Sequence, residues 1–294
     1  MKHLLVTIVA VLLCGCTLSH HSTPPAPIAA DVFDAMMLGY QTNGVPDTIR
    51  LAAGTYLTRG SRAWTLSPGD SLVGAGMGKT TLRRMDPQAR FVVNGWIAQG
   101  NAGARVADLT LDANAGLVGA EAPCGLGVFH WRDCTIERVR VIRLGSFSLL
   151  SESFGIIPED CTNLVVRDCI VEQNVGGYVT AYTISGKRVT LTNCVANFVW
   201  QPTWLKHLAA FATAGMGPDG SQDVTIAGNR TSGARYGIYS DYGTKIDRLT
   251  ITGNSGTLRS HGYAPAQEIF LTGQDRGVQY FNVRTNANNF TIAP

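Results

Sequence analysis

Three carboxylates near the middle of the chain, Asp133, Glu159 and Asp160, have the types and spacing that acid–base chemistry on a sugar needs. Glycoside hydrolysis uses two carboxyl groups about 5 to 9.5 Å apart, whereas lyases and epimerases need a base and a partner that neutralises charge. If these residues close neighbouring coils of a stacked repeat, about 4.8 Å separates one level from the next. The sequence therefore predicts them as candidate catalytic residues. The alternative is structural, because Asp at strand ends commonly accepts hydrogen bonds from turn amides.

A second set of side chains could hold a sugar rather than react with it. Taking Ile156, Ala181 and Phe211 as inward positions of successive strands, the residues one and three places later face outward. Exposed aromatic rings with a polar rim suit stacking on sugar rings. The residues predicted to bind a substrate are Phe129, Trp131, Tyr182, Tyr239, Asp241 and Phe270. The alternative is that an insertion near residues 197–208 folds over these rings.

These candidates are positioned by a strand-and-turn phrase that recurs between Asn163 and Thr257. Its inner apolar residues follow one another at steps of 25, 35 and 25 residues, and they are Val166, Leu191, Ile226 and Ile251. A constant phase at this spacing lets equivalent residues stack about 4.8 Å apart along one axis. This pattern predicts a parallel β-helix. A β-propeller is the alternative, but a blade needs four strands in about 40 to 45 residues.

Each phrase ends on a Cys or an Asn, at Cys169, Cys194, Asn229 and Asn254. These residues are predicted to stack inward, where an Asn amide can bond to the backbone of the next coil. Ahead of the repeat, residues 31–38 keep apolar side chains three and four apart, which predicts a short N-terminal capping helix before Gly39.

Two glycine-rich stretches carry a family resemblance. An aliphatic-Ala-Gly-Thr-Tyr strand at residues 51–56, followed by the Gly74-Ala75-Gly76 turn, resembles the opening coils of the pectate-lyase-like parallel β-helix superfamily. The stacked Asn and Cys positions resemble the asparagine ladder of that superfamily. The resemblance implies an all-β, single-stranded right-handed parallel β-helix over residues 31–294 with a helical cap.

The catalytic motifs of that superfamily's enzymes are missing from the sequence. There is no Asn-Thr-Asp or Gly-His-Gly of polygalacturonases, no Asp-Pro-His-Asp of mannuronate epimerases, and no stacked Asp set of calcium-dependent pectate lyases. His130 lies close to a strand but has no partner that the sequence identifies. The resemblance therefore predicts the fold and no known active site. No cofactor is indicated, and calcium enters only through the resemblance.

The N-terminus resembles a bacterial lipoprotein signal. A basic start, Met1-Lys2-His3, precedes the apolar run from Leu4 to Leu13 and then Cys16. The resemblance implies a signal peptide over residues 1–15, cleavage before Cys16, lipidation of its thiol, and a membrane anchor. Thr17, rather than Asp, favours the outer membrane of a Gram-negative cell. The Pro- and Ser-containing residues 16–30 are interpreted as a flexible tether.

Composition agrees with many short strands and tight turns. Charged residues make up 15% of the chain, against roughly 25% in average proteins, and there are 33 glycines. A net charge of +3 without a basic cluster argues against a nucleic-acid partner. The leading hypothesis is an exported envelope protein that binds a polysaccharide. The sequence leaves open whether it also acts on that polysaccharide, as a lyase, hydrolase or epimerase. The alternatives are a noncatalytic adhesin or envelope scaffold and a phage-type glycan-binding spike.

Overall fold

The computed structural model describes residues 26–96, 102–117, 122–146, 151–176, 178–199, 207–215, 219–240, 243–260, 265–271 and 278–293. The chain starts with a helix and continues almost entirely as strands. The elements are α1 (Ala30–Asn43), β1 (Thr48–Arg50), β2 (Gly54–Thr58), a 3-10 turn (Gly60–Arg62), β3 (Ser71–Val73), β4 (Thr80–Arg84), β5 (Phe91–Trp96), β6 (Arg105–Asp112), β7 (Cys124–Phe129), β8 (Thr135–Ser146), β9 (Ser153–Glu159), β10 (Cys161–Arg167), β11 (Ile170–Gly176), β12 (Tyr178–Ile184), β13 (Gly186–Thr192), β14 (Val195–Phe198), β15 (His207–Thr213), β16 (Ser221–Ala227), β17 (Arg230–Ala234), β18 (Tyr236–Ser240), β19 (Lys245–Thr252), β20 (Ser255–Arg259), β21 (Gln267–Leu271), β22 (Gln279–Phe281), β23 (Arg284–Asn286) and β24 (Asn289–Ala293).

The strands form two parallel sheets that share one coil axis. Sheet B contains β5, β7, β9, β12, β15, β18 and β21, and sheet A contains the other strands. Each complete central coil adds one strand to sheet B and two to sheet A; β9, β10 and β11 make one such coil, and β12, β13 and β14 the next. This arrangement is a right-handed parallel β-helix, as the recurring phrase predicted.

The inner column of sheet A follows the predicted phase. Val106 pairs with Ile136 and Ile136 with Val166, and the column continues through Leu191, Ile226 and Ile251. All of these side chains are fully buried in one continuous core. The 25- to 35-residue steps in the sequence are therefore single coils of the solenoid.

The predicted Cys and Asn positions form a buried ladder. The amide nitrogen of Cys194 donates to Asn229 Oδ1 at 2.9 Å, and Asn229 Nδ2 donates to Asn254 Oδ1 at 2.9 Å. Asn254 Nδ2 continues the ladder to Asn288 Oδ1 at 3.0 Å, one coil beyond the predicted set. Each buried amide thus finds a partner in the next coil, which is what a polar group in a core requires.

Helix α1 packs on the first coil and runs longer than predicted, to Asn43, where Gly44 ends it in the left-handed region at φ 70°. Its Phe33 ring contacts the rings of Tyr56 and Trp64. Its buried Asp34 accepts a hydrogen bond from Thr58 Oγ1 at 2.6 Å. These contacts hold the helix against the N-terminal end of the solenoid, where the first strands would otherwise expose apolar surface.

Candidate functional site

Five rings lie together on the outer face of sheet B, contributed by four successive strands. We call them the ring cluster, and they are Tyr178, His207, Tyr236, Tyr239 and Phe270. The centroids of His207 and Tyr239 are 4.4 Å apart in an edge-to-face contact, and Tyr236 stacks on Phe270 at 4.9 Å. Both distances fall in or near the range that favours aromatic attraction. The cluster is therefore a packed unit rather than a row of independent side chains.

Strand register explains why the rings meet. Tyr236 pairs with Ala209, and Tyr239 pairs with Ala212 and with Phe270. The two alanines leave room beside the larger rings of the next coil, and together with the two tyrosines they form an apolar cluster separate from the interior core. Stacking of coils about 4.8 Å apart then places successive rings in contact.

A carboxylate and an imidazole are held within this cluster. Glu152 Oε1 lies 3.3 Å from His207 Nε2, and Thr180 Oγ1 lies 3.3 Å from the same nitrogen. The Thr180 hydroxyl also donates a short hydrogen bond to Glu152. The His207 side chain is 13% exposed and that of Glu152 is 18% exposed. The pair is thus largely shielded from water, while an edge of each group remains open.

These contacts determine which imidazole nitrogen can take a proton. Because the Thr180 hydroxyl hydrogen goes to Glu152, its oxygen faces His207 as an acceptor. A neutral His207 that donates from Nε2 to these oxygens keeps Nδ1 as a proton acceptor. The geometry therefore suits a general base whose orientation is set by a carboxylate and a hydroxyl.

Two arginines flank the cluster along the coil axis. Arg90 donates from Nη1 to Ser151 Oγ at 3.0 Å and from Nη2 to the Glu152 carbonyl at 2.8 Å. At the other end, the Arg235 guanidinium lies 4.5 Å from the centroid of the Tyr236 ring. Both cations can interact with a negatively charged ligand that lies along the cluster.

Tyr239 and Phe270 lie on the outer face of sheet B, where they belong to the ring cluster. Tyr239 is only 8% exposed, because neighbouring rings cover it, whereas Phe270 is half-buried. Phe129 lies at the end of β7 with its ring edge-on to Phe91 at 6.1 Å, two coils before Tyr178 of the cluster. Their predicted role in substrate binding stays a prediction.

The prediction for Trp131 is wrong. It was predicted to face solvent, but its side chain is completely buried and its Nε1 donates to the Gly95 carbonyl at 2.9 Å. His130, just before it, has a left-handed backbone at φ 59°, which breaks the strand alternation. A Cβ at Gly95 would lie 2.5 Å from the indole, so that glycine makes room for the ring. Trp131 packs the core.

The prediction that Tyr182 faces outward is also wrong. Tyr182 lies in the core with no exposed surface, stacks on Phe211 at 5.7 Å, and donates its hydroxyl hydrogen to the Val195 carbonyl at 2.9 Å. Ala181 points inward, as the sequence predicts, but Tyr182 also points inward. On the next strand Ala210 and Phe211 do the same. Two successive inward residues shift the alternation by one, which reverses the side on which a ring is expected.

The three predicted catalytic carboxylates lie at the opposite ends of the sheet B strands. Glu159 is the last residue of β9, Asp160 follows it, and Asp133 accepts a 2.7 Å hydrogen bond from Asn163. Seven strand steps separate Glu152 from Glu159, about 23 Å at roughly 3.3 Å per residue. The carboxylates therefore do not share a groove with the ring cluster, and their catalytic role stays a prediction.

Several predictions lie outside the described residues. They concern Asp241 as a substrate ligand, Cys16 as a lipid site, the signal peptide, and the loop at residues 200–206. Within the described ranges, no group of three or more potential metal-ligating side chains is found. The helices that the structure describes include none long and apolar enough to cross a bilayer.

Sequence reasoning missed the central residues of the cluster, His207 and Glu152. One signal was present: Tyr178, His207 and Tyr236 recur at intervals of 29 residues. That interval is one coil, so ring-bearing side chains at this spacing can stack on one face. Glu152 has no comparable signal, because it lies just before its strand.

Comparison with known proteins yields no match to any protein family. Two curated relatives are the mannuronan C5-epimerases AlgE3 and AlgE1 of Azotobacter vinelandii, each 28% identical over 158 residues. The matched region is 47% of this chain but only 8% and 10% of those relatives. This chain is therefore similar to a small part of much longer proteins.

Solved structures resemble the protein over most of its length. A tailspike double mutant of Escherichia coli bacteriophage HK620 aligns with a TM-score of 0.61 and 13% identity, covering 89% of this chain and 53% of that one. PfbA, a surface adhesin of Streptococcus pneumoniae, aligns with a TM-score of 0.60 and 11% identity, covering 89% of this chain and 76% of that one. At these identities the likeness shows the shared parallel β-helix fold.

Proposed function

We propose that this protein binds a polysaccharide on the outer face of sheet B, through the ring cluster. The observation that carries the proposal is a set of rings, Tyr178, Tyr236 and Tyr239, packed around His207, which pairs with Glu152. Apolar surroundings with a few convergent polar groups are typical of ligand sites. A sugar presents apolar C–H faces to rings and hydroxyl groups to polar side chains, so both parts of the cluster have a complementary partner.

The packing of the cluster supports binding. Its rings contact one another, and Tyr178 and Phe270 at its two ends are half-buried rather than covered. A binding surface that is ordered beforehand loses little side-chain entropy when a ligand arrives. In support, the HK620 tailspike, which shares the fold with a TM-score of 0.60 and 14% identity, has been solved in complex with a pentasaccharide.

A catalytic role is the finer part of the proposal, and the contacts of His207 favour it. A base held by a carboxylate suits removal of the proton beside the carboxyl group of a uronic acid, the step shared by polysaccharide lyases and epimerases. Arg90 and Arg235 can neutralise the sugar carboxylate during that step. Hydrolysis uses two separate carboxyl groups, whereas the contacts of His207 include one, and it is already engaged with Thr180.

Uronate oligosaccharides test this proposal directly. The intact protein is incubated with oligomannuronate and oligogalacturonate, and proton NMR follows unsaturated ends and the configuration at C5. We expect binding together with one of these changes. Binding without turnover would support the noncatalytic adhesin instead, and failure of every uronate and neutral glycan to bind would contradict the proposal.

The location of the reaction is tested with a double variant. Asp133→Asn combined with Glu159→Gln removes two of the carboxylates at the far ends of the strands, about 23 Å from Glu152 at roughly 3.3 Å per residue. Turnover that survives in this variant excludes Asp133 and Glu159 and supports the ring cluster. Turnover that is lost, with folding intact, places it at the carboxylates.

The membrane anchor is part of the proposal. It is supported by the sequence Leu13-Cys14-Gly15-Cys16 after an apolar run. Multiple acyl chains on Cys16 would give durable anchoring, because one chain alone binds a membrane only marginally. Labelled palmitate should enter the protein in a Gram-negative host and should be absent from Cys16→Ser. Label that persists in this variant would rule out the anchor.

A further inference from the structure

A second pocket lies at the C-terminal ends of the sheet B strands, away from the ring cluster. It has a volume of about 210 Å³, and its lining includes His130, Arg132, Asp160, Thr162, Lys187 and Asp219. The side chains of His130, Asp160, Lys187 and Asp219 are accessible, with exposed fractions from 39% for Asp160 to 66% for Asp219. The proposed function does not use this pocket.

Four successive coils build the pocket, and Asp219 belongs to the fourth. Arg132 pairs with Thr162 through a parallel bridge, and Thr162 pairs with Lys187 in register. At about 4.8 Å per coil, the backbones carrying the two cations are roughly 10 Å apart, with the Thr162 level between them. His130 and Asp160 take left-handed backbone conformations at φ 59° and 50°, which turn the chain from sheet B towards sheet A. The coil geometry therefore presents donors and acceptors alternately.

The charges in this pocket balance. His130 Nδ1 lies 3.2 Å from Asp160 Oδ2, and Lys187 Nζ lies 2.8 Å from Asp219 Oδ2. The Arg132 guanidinium makes no hydrogen bond or ion pair with another residue that the structure describes. Apart from the imidazole, the lining carries two positive side chains, Arg132 and Lys187, and two negative ones, Asp160 and Asp219.

The mixture of positive and negative side chains favours an uncharged ligand over an anion or a metal cation. An anion would approach two carboxylates, and a metal cation would approach Arg132 and Lys187. A sugar without charge meets neither penalty, because its hydroxyl groups donate to Asp160 and Asp219 and accept from Arg132 and Lys187. Hydrogen bonds to charged partners are also stronger than those between neutral groups.

The size of the pocket limits how much of a ligand it can hold. Its volume of about 210 Å³ is below the roughly 300 to 1,000 Å³ of sites for drug-sized molecules. One sugar ring is a suitable occupant, and a longer segment would extend into solvent. The strand length keeps this pocket about 23 Å from Glu152 at roughly 3.3 Å per residue, so the same ring cannot contact both places.

We infer that this pocket is a second carbohydrate subsite, which accepts one uncharged sugar unit. It differs from the ring cluster in chemistry, because it recognises hydroxyl groups through charged side chains instead of stacking on rings. A polysaccharide that carries both charged and uncharged sugars could occupy the two places together. The subsite stands whether or not the ring cluster is catalytic.

Amide chemical shifts of the intact, nitrogen-15-labelled protein test the inference. The probes are neutral hexasaccharides of glucose, mannose, galactose and xylose, hexamannuronate, inorganic phosphate, and calcium chloride. We expect at least one neutral hexasaccharide to shift the amides of Thr162, Lys187 and Gly220. Asp160→Asn should weaken that binding at least tenfold, because it removes a charged hydrogen-bond acceptor.

Two control variants keep the result specific. Asp223→Asn changes an exposed, arginine-paired carboxylate outside the pocket and should leave the binding unchanged. Phe270→Ala disturbs the ring cluster and should also leave it unchanged, which separates this inference from the proposed function. The inference is overturned when no neutral hexasaccharide shifts these amides, or when hexamannuronate, phosphate or calcium shifts them instead.

Discussion

On the outer surface of sheet A, carboxylates and arginines pair with one another across coils, whereas on sheet B rings surround one carboxylate–histidine pair. Glu137 shows the first pattern: it accepts hydrogen bonds from Arg105 at 2.7 Å, Arg138 at 3.1 Å and Arg167 at 2.6 Å. Its side chain is 5% exposed. Three guanidinium groups therefore cover it and use its acceptor capacity.

The carboxylate of sheet B is less fully engaged. Glu152 contacts Thr180 and His207, and His207 keeps a ring nitrogen that the carboxylate does not use. Both sheets repeat at the same inter-coil distance, so spacing alone does not separate a structural face from a functional one. The difference lies in how far the charged groups satisfy one another. Saturated ion-pair networks stabilise the fold, and incompletely saturated groups among rings remain available to a ligand.

We expect the largest effect from a change that removes the base proposed on sheet B. His207→Gln keeps a polar side chain of similar reach but removes the base, so turnover of a uronate oligosaccharide should fall by about 10²- to 10⁴-fold. Affinity should fall by no more than about the tenfold expected for the loss of one ring of the cluster, so the loss of turnover should exceed the loss of binding. The measurement is a steady-state assay with the unfolding curve in urea as control. Unchanged turnover would exclude His207 as the base.

We expect the next largest effect, on stability, from a change in the ion-pair network of sheet A. Glu137→Gln leaves Arg105, Arg138 and Arg167 without their shared carboxylate, and we expect the free energy of unfolding to fall by about 2 to 3 kcal/mol. Glycan affinity should stay within about twofold, because Glu137 lies on sheet A. Urea unfolding and glycan titration together measure this. A loss of affinity with unchanged stability would contradict the assignment of this face.

Low pH should also remove the stabilisation that Glu137 contributes on sheet A. Burial would raise the pKa of Glu137, but hydrogen bonds from Arg138, Arg105 and Arg167 outweigh it and lower the pKa to about 2, from 4.5. A depressed folded pKa means that this stabilisation is complete above the unfolded pKa and is lost as pH falls from about 4.5 towards about 2. Unfolding curves over this range should converge for the wild-type protein and Glu137→Gln. Parallel curves would show that Glu137 is not responsible.

The smallest expected effect compares two phenylalanines. Phe270→Ala removes a half-buried ring of the cluster and should weaken polysaccharide binding about tenfold, equivalent to roughly 1.4 kcal/mol. Phe281→Ala removes a ring that is 43% exposed on sheet A, and it should leave binding unchanged. Calorimetric titration of both variants measures the difference. Equal losses would mean that the ring cluster does not form the binding surface.

Local sequence reasoning predicted sheet A better than sheet B, for a physical reason. In sheet A the strands alternate regularly, so a residue such as Val166 and its partner Leu191 show their inward direction in the sequence. In sheet B two inward residues follow one another, as at Ala181 and Tyr182. Counting by two then assigns the wrong side, and no local feature of the sequence shows where the alternation changes.

The coil period, the buried column of sheet A and the ladder through Asn229 and Asn254 could be predicted from the sequence alone, because stacking requires the same kind of inward residue at every coil. The contacts on the outside are seen only in the tertiary structure. Trp131 turns inward after a left-handed residue. His207 contacts Glu152, which lies 55 residues earlier in the chain. Outward positions are not constrained by core packing, so their partners depend on loop lengths and strand register, which the whole fold sets.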